Sequence, residues 1–169
     1  MAAGGRTAFI LTVSDRGSTG DRADTSGDGL AARLAMLGFA VEREMVPDER
    51  RRIESMLVAA ASRHPLIVTT GGTGLTPRDV TPQATLAVID YQVPGFAEAM
   101  RADGRAKTPM AILSRAVVGV RGKTLIVNLP GSPRAALESF AVLEPVLDHA
   151  LETLRGPHEH AGWGNEAGG

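Results

Sequence analysis

Cysteine is absent from the 169 residues. That excludes disulfides, thiolate catalysis and any zinc or iron–sulfur site built on Cys, and it suits a reducing, cytoplasmic setting. Aromatic side chains are scarce, only 4% of the chain, which leaves no platform for stacking nucleic-acid bases. Neither sign of charge dominates: 18 basic residues face 19 acidic ones, for a net charge of −1. No global field therefore favours nucleic acid or an anionic membrane. Long apolar runs are missing too. The opening "MAAGGRTAFILTVSD" holds an apolar run of only about seven residues before Ser14 and Asp15. That is too short for a signal-peptide core or a membrane span, and it reads as a first strand of a soluble protein. Three of the four histidines lie at position 149 or later, and none follows an expected strand, so no Ser-His-Asp arrangement is legible.

The length suffices for one domain with a substantial core and not for two. Apolar, β-rich stretches alternate with segments of helical periodicity. Strands are expected at Thr7–Asp15, Phe39–Val46 and Pro65–Thr70, with two more β-like segments around the Arg121-Gly122-Lys123 turn, ending at Asn128. Between them, "LAARLAMLGF" carries helical spacing and a C-terminal Gly38, and "PDERRRIESMLVAAASR" opens on acids and closes on bases. Thr81-Pro82 and Ser132-Pro133 each read as an N-cap followed by proline at the first helical position. "PGFAEAMRADGR" reads as a short helix, and Pro145 is expected to kink or restart the last one. The alternation predicts an α/β fold with a mainly parallel sheet. One domain is expected over residues 1–156 and a mobile Gly-rich tail over 157–169.

Parallel sheets bind ligands beyond the carboxyl ends of their strands. Four polar or Gly-rich segments follow strands here: Ser14–Gly29, Pro47–Glu49, Gly71–Asp79 and Pro130–Pro133. If the sheet is parallel they meet on one rim. Gly71-Gly72-Thr73-Gly74 either makes a tight turn or presents bare N–H groups to an anion; it is neither a Walker A loop nor a GxGxxG fingerprint. Asp79, and Asp48 after Pro47, are either solvated turn acids or a carboxylate pair holding Mg²⁺ on a polyphosphate. The Gly131-Ser132-Pro133 turn is a cap or a phosphate-binding helix start. Ser14, Asp15 and Ser26 sit in a long polar loop, and loops of that size are more often functional than decorative. Arg115, beside Ser114, either neutralises a phosphate or lies on an edge strand facing solvent. His158 and His160 have no structured partner ligands in the sequence.

The strings "TTGGTGLTPRDVTPQAT", "VPGFAEAMR", "LSRAVVGVRGKTLIVNLPGSP" and "TVSDRGSTGDRADTSG" together resemble the MogA/MoaB family of molybdenum-cofactor biosynthesis. They are also similar to the G domain of gephyrin and its plant counterparts. The resemblance runs from about Thr7 to about Leu154. It implies a three-layer α/β/α sandwich of molybdopterin-binding-like fold, usually a homotrimer, that uses Mg²⁺ and ATP to adenylylate molybdopterin with release of pyrophosphate. It implies a phosphate-cradling loop at Gly71, Gly72, Thr73 and Gly74, and an essential Asp79 with Asp48 as second functional acid. Ser114 and Arg115 match an element on the molybdopterin side. Gly131, Ser132 and Pro133 match a loop around the nucleotide, where Ser132 replaces the Asn or Gln of several relatives. Ser14, Asp15 and Ser26 fall within the early matching string. Small-molecule substrates, and transient contact with other molybdenum-cofactor enzymes, complete the implied partners; nucleic acid and membrane are not among them. A MoaB-type paralogue with weak or no catalysis, or a non-enzymatic pterin carrier or scaffold, are the alternatives within the resemblance.

Overall fold

The structure, a computed structural model, describes residues 6–156; the expected tail at 157–169, with His158 and His160, lies outside them. Six strands form one sheet: β1 (Thr7–Val13), β2 (Ala40–Val46), β3 (Leu66–Thr70), β4 (Tyr91–Gln92), β5 (Val118–Arg121) and β6 (Thr124–Leu129). Their order is β2-β1-β3-β6-β5-β4. The pairings β1–β2, β1–β3 and β3–β6 are parallel, whereas β5 runs antiparallel to β6 and β4 antiparallel to β5. The helices are α1 (Asp15–Ser18), α2 (Thr25–Met36), α3 (Arg50–Ala61), α4 (Thr81–Val88), α5 (Pro94–Lys107) and α6 (Pro133–Arg155), with a 3₁₀ turn at Pro109–Leu113.

The continuous apolar run of β1 has a direct cause: both faces of the strand are covered. Ala8 and Ile10 point into one core, packed with Leu30 and Leu34 of α2, Met100 of α5 and Phe140 of α6. Phe9 and Leu11, which alternate with them in sequence, point into the other core with Ile53 and Leu57 of α3 and Ala84 of α4. Period-two geometry thus splits one hydrophobic string into two cores and fixes the expected three layers. Edge strand β2 instead carries Glu42, Arg43 and Glu44 in half-buried or exposed positions, charges that discourage edge-to-edge pairing.

Four local expectations change. The first strand stops at Val13, because the Ser14 side chain accepts from Gly17 N–H and caps α1, which starts at Asp15. The long polar loop is shorter than expected: Asp24 accepts from Gly27 N–H and starts α2 at Thr25. Thr81 is not an N-cap but the first residue of α4, after Val80; its hydroxyl donates to the Gly71 carbonyl at 3.0 Å instead. Helix α6 runs unbroken through Pro145, held along one stripe by buried Phe140, Leu143, Leu147 and Leu151.

Asn128, with no exposed surface, ties β6 to its surroundings. Its amide donates to the hydroxyls of Thr69 at 3.1 Å and Thr85 at 2.9 Å, and its carbonyl oxygen accepts from Val117 N–H at 3.2 Å. Asn128→Ala strands these groups without water, so urea unfolding is expected to show a loss of about 2 kcal/mol with an unchanged m-value. Arg50→Ala, which removes only an exposed i,i+4 pair with Glu54, is expected to cost under about 0.5 kcal/mol.

Candidate active site

Strands β1 and β3 are neighbours, yet the helices that follow them pack on opposite faces, α2 in one core and α4 in the other. A crevice must open where the two connections part, beyond the carboxyl ends of the strands. It is there, as a polar cavity of about 380 Å³ whose lining includes Val13, Thr70 and Gly71. All four expected loops reach this rim. Ser14 N–H donates to Val46 O at 2.9 Å, Gly71 N–H to Leu129 O at 3.2 Å, and the Thr70 hydroxyl to Pro130 O at 2.7 Å.

Gly71 and Gly72 stand in succession at φ +97° and +69°. A Cβ on Gly71 would lie 2.3 Å from the Val13 carbonyl oxygen, and one on Gly72 2.3 Å from the Thr81 hydroxyl. Glycine is therefore demanded twice, by backbone conformation and by space. Thr81 grips the loop by donating to it twice: its N–H to Gly72 O at 3.1 Å and its hydroxyl to Gly71 O.

The two acids flank this bare loop. Asp48 Oδ1 would lie 3.2 Å from a Cβ on Gly72, and Asp79 Oδ2 2.9 Å from one on Gly74. Both residues line the polar cavity. Asp79 Oδ2 accepts from the Thr76 N–H and hydroxyl at 3.0 and 2.8 Å, and Asp48 Oδ2 accepts from Asp15 N–H at 3.0 Å. Among the described residues no donor meets the other oxygen of either acid. Burial pushes the Asp48 carboxyl above the ordinary range, and the negative charges of Asp15 and Asp79 add to that, against the lowering effect of the Asp15 N–H. Asp48 thus senses Asp79 across the loop, and each keeps one free oxygen.

The remaining expected residues divide. Ser14, Ser26, Gly131 and Ser132 line the polar cavity. The Ser26 hydroxyl donates to Gly131 O at 2.5 Å, and Ser132 caps α6 by accepting from Ala135 N–H at 3.2 Å. Pro133 follows as the first residue of α6 and lines neither this cavity nor the second one below. Asp15 also stands outside the cavity. Its carboxylate accepts from Arg78 Nε and Nη2 at 3.0 and 2.8 Å and from Asp48 N–H at 2.9 Å, and the Arg78 hydrogen bond above all holds its carboxyl below the usual range. Asp15 and Asp48 therefore each take the other's main-chain N–H, and Arg78 fastens the pair to the loop that carries Asp79.

Thr73, Gly74 and Ser114 line a second cavity of about 310 Å³, together with Met100, Met110, Leu113 and Asn128. The glycine loop is a ridge between the two hollows: Gly71 and Gly72 face the polar one, Thr73 and Gly74 the apolar one. Arg115 sits on no edge strand; it precedes β5, an inner strand. Its guanidinium donates to Gly74 O at 2.7 Å, Asp79 O at 2.7 Å and Gln83 Oε1 at 3.3 Å, and its N–H to Thr73 O at 3.1 Å. It straps the ridge through its carbonyls. Sequence reasoning missed Arg78, Arg22 and Thr12; the last two line the polar cavity. Arg78 stands beside Asp79 and was visible, but nothing local signals a partner 63 positions away.

Among the described residues no three His, Asp or Glu side chains come together as a metal site. The protein offers a cation two carboxylates with one free oxygen each. That donor set suits Mg²⁺, which keeps water and takes phosphate oxygens alongside one or two carboxylates.

Comparison with known proteins bears on what fills these hollows. The model of a family described as "Probable molybdopterin binding domain" matches residues 9–149. A molybdopterin adenylyltransferase from Helicobacter pylori (strain J99) is 38% identical over 152 residues, covering 87% of this chain and 86% of its own. Gephyrin from Dictyostelium discoideum is 38% identical across 84% of this chain, which spans only 21% of gephyrin. The solved structure of the molybdopterin biosynthesis enzyme MoaB from Thermus thermophilus superimposes with a TM-score of 0.81 at 52% identity, over 89% of this chain and 97% of that one. The sequence motifs, the twin glycines between two acids and these likenesses agree: the chain belongs to the family of probable molybdopterin binding domains, in which the MogA and MoaB proteins are its relatives.

Proposed function

We propose that this protein is a molybdopterin adenylyltransferase acting in molybdenum-cofactor biosynthesis, joining AMP from ATP to molybdopterin and releasing pyrophosphate. The observation that carries the reading is the ridge. A backbone loop bare of side chains separates a polar hollow from an apolar one, with two carboxylates on its polar side. The polar hollow, ringed by Ser14, Ser26 and Ser132, suits the triphosphate; the apolar hollow, walled by methionines and Leu113, suits the flat pterin. Relatives of matching length carry the name molybdopterin adenylyltransferase, which supports the same reaction here.

The reaction is a displacement at phosphorus. A terminal phosphate oxygen of molybdopterin bonds to the α-phosphorus of ATP, the bond from that phosphorus to the β-bridging oxygen breaks, and the electron pair leaves with pyrophosphate. No side chain need become covalently attached, so the lack of cysteine and of a placed histidine costs nothing. What the site must do is hold the reacting atoms in line and offset their charge. Main-chain N–H groups at Gly72 to Gly74 and the start of α6 at Ser132 do the first without desolvating a side chain. Asp48 and Asp79 would hold Mg²⁺, which when bound would offset the charge of the phosphate oxygens. Asp15, fixed by Arg78, acts as a positioning residue for Asp48. Arg115 keeps the ridge from sagging toward either hollow. A homotrimer and a cytoplasmic location belong to this reading; in the described residues no helix is long and apolar enough to cross a membrane. A binding-only paralogue would keep both hollows and release no pyrophosphate.

Pyrophosphate release from Mg-ATP in the presence of molybdopterin is the decisive measurement, and its absence overturns the reading. Asp79→Ala is expected to abolish turnover while pterin affinity stays within about tenfold. Asp79→Asn, which keeps an acceptor for Thr76, is expected to be equally inactive with a native melting curve; substantial activity there removes the carboxylate's role. Gly72→Ala is expected to lose nucleotide binding and about 1–2 kcal/mol of stability, because it forces a Cβ into the left-handed region. Gly95→Ala, with nothing within 4 Å of the added carbon, is expected to change neither.

A further inference from the structure

The polar cavity holds an imbalance of charge. Asp24 lines it but is neutralised by Arg43, which does not, and whose Nη2 donates to Asp24 Oδ2 at 2.8 Å. Asp48 and Asp79 have no ion-pair partner among the described residues. Against these two negative charges stands Arg22, the sole cationic side chain among the described residues that line the cavity. Arg22 is exposed, on the turn between α1 and α2, and makes no ion pair or side-chain hydrogen bond with the described residues. Neither neighbouring acid takes it: Asp21 accepts from the Thr19 hydroxyl at 2.7 Å, and Asp24 holds Thr12, Gly27 N–H and Arg43. The other nearby arginine, Arg78, is spent on Asp15. One guanidinium therefore stands at the edge of the cavity with its five donors uncommitted.

We propose that Arg22 is the group that receives the departing pyrophosphate, closing its guanidinium on the β- and γ-phosphoryl oxygens of ATP. The inference rests on the adenylyltransferase reading and follows from direction. In an in-line displacement the nucleophile and the leaving group lie on opposite sides of the α-phosphorus. Molybdopterin approaches from the apolar hollow, on the Thr73–Gly74 side of the ridge, which Arg22 does not line. Pyrophosphate is then driven into the polar hollow, where Arg22 is the cation. As the bond to the β-bridging oxygen breaks, negative charge accumulates on the leaving group beside two carboxylates, and a planar guanidinium matches paired phosphate oxygens as the main-chain amides do not. A free arginine on a short turn also has the freedom to close on a polyphosphate and release it.

The test is equilibrium binding of Mg-ATP, magnesium pyrophosphate and AMP to the wild type, Arg22→Ala and Arg22→Lys, together with turnover. Arg22 is exposed and bonded to nothing described, so both variants are expected to fold with native melting curves. Arg22→Ala is expected to weaken Mg-ATP and magnesium pyrophosphate by about tenfold or more, the worth of one charge-assisted contact, while AMP binds as before. Arg22→Lys is expected to recover part of the loss, since the charge remains and the paired geometry does not. An equal loss for AMP, or no loss for pyrophosphate, overturns the assignment while leaving the adenylyltransferase reading intact. A wild type that binds neither ATP nor pyrophosphate overturns both.

Discussion

Gly71 and Gly72 impose the constraint on which the rest of the site depends. The chain leaves β3 against the Val13 carbonyl and beside the Thr81 hydroxyl, in a conformation that L side chains resist. Any Cβ at either residue would push the turn off both neighbours and swing it away from the rim. With the turn in place, a thin wall of main chain divides the rim into two hollows, one for a triphosphate and one for a pterin in the proposed reaction. A thicker wall would hold the reacting groups apart. Proximity here comes from atoms that are missing as much as from those present.

Such a wall needs support, since glycine gives up more freedom on folding than any other residue. The support is polar and comes from outside the loop. Thr81 holds its first two carbonyls, Arg115 strings the later ones together, and Asn128 fixes the end of β6 against which Gly71 is bonded. Each donor meets a carbonyl or hydroxyl oxygen that would otherwise be left without a partner in a half-buried place. Arginine suits this strapping because its donors are fixed in a plane and reach several carbonyls from one rotamer. The same residue type does a different thing at Arg78, where it binds an acid that binds another acid's backbone.

The pattern of charges follows from that division of labour. Arginines around the rim are mostly consumed by structure, which leaves the carboxylates that face the cavity in excess. A bare triphosphate is disfavoured there, and a triphosphate carrying a divalent cation is not. On the proposed reading, preference for the metal-bound nucleotide is written into which ion pairs are made and which are left open.

Much of this was legible without coordinates. Apolar runs of strand length alternating with helical periodicity pointed to an α/β fold with a mainly parallel sheet, because a strand buried on both faces has no polar side to show. The glycines, Asp48, Asp79 and the Ser132-Pro133 turn stood out since each obeys a local rule: a left-handed backbone, a carboxylate after a strand, a cap before proline. The rules failed where a longer-range partner competed. Thr81 read as a cap, but the Gly71 carbonyl claimed its hydroxyl; Arg115 read as a phosphate ligand or a solvent-facing edge residue, but the ridge claimed its guanidinium. Pro145 read as a break, but the buried stripe of α6 carried the helix across it. Sequence by itself determined the main strands and helices, the rim they share and the chemistry of the groups that face it, since these follow from periodicity and residue type. Tertiary structure alone decided which hydrogen-bonding groups are spent on holding the loop and which remain free, because that depends on partners brought within about 3 Å from distant parts of the chain.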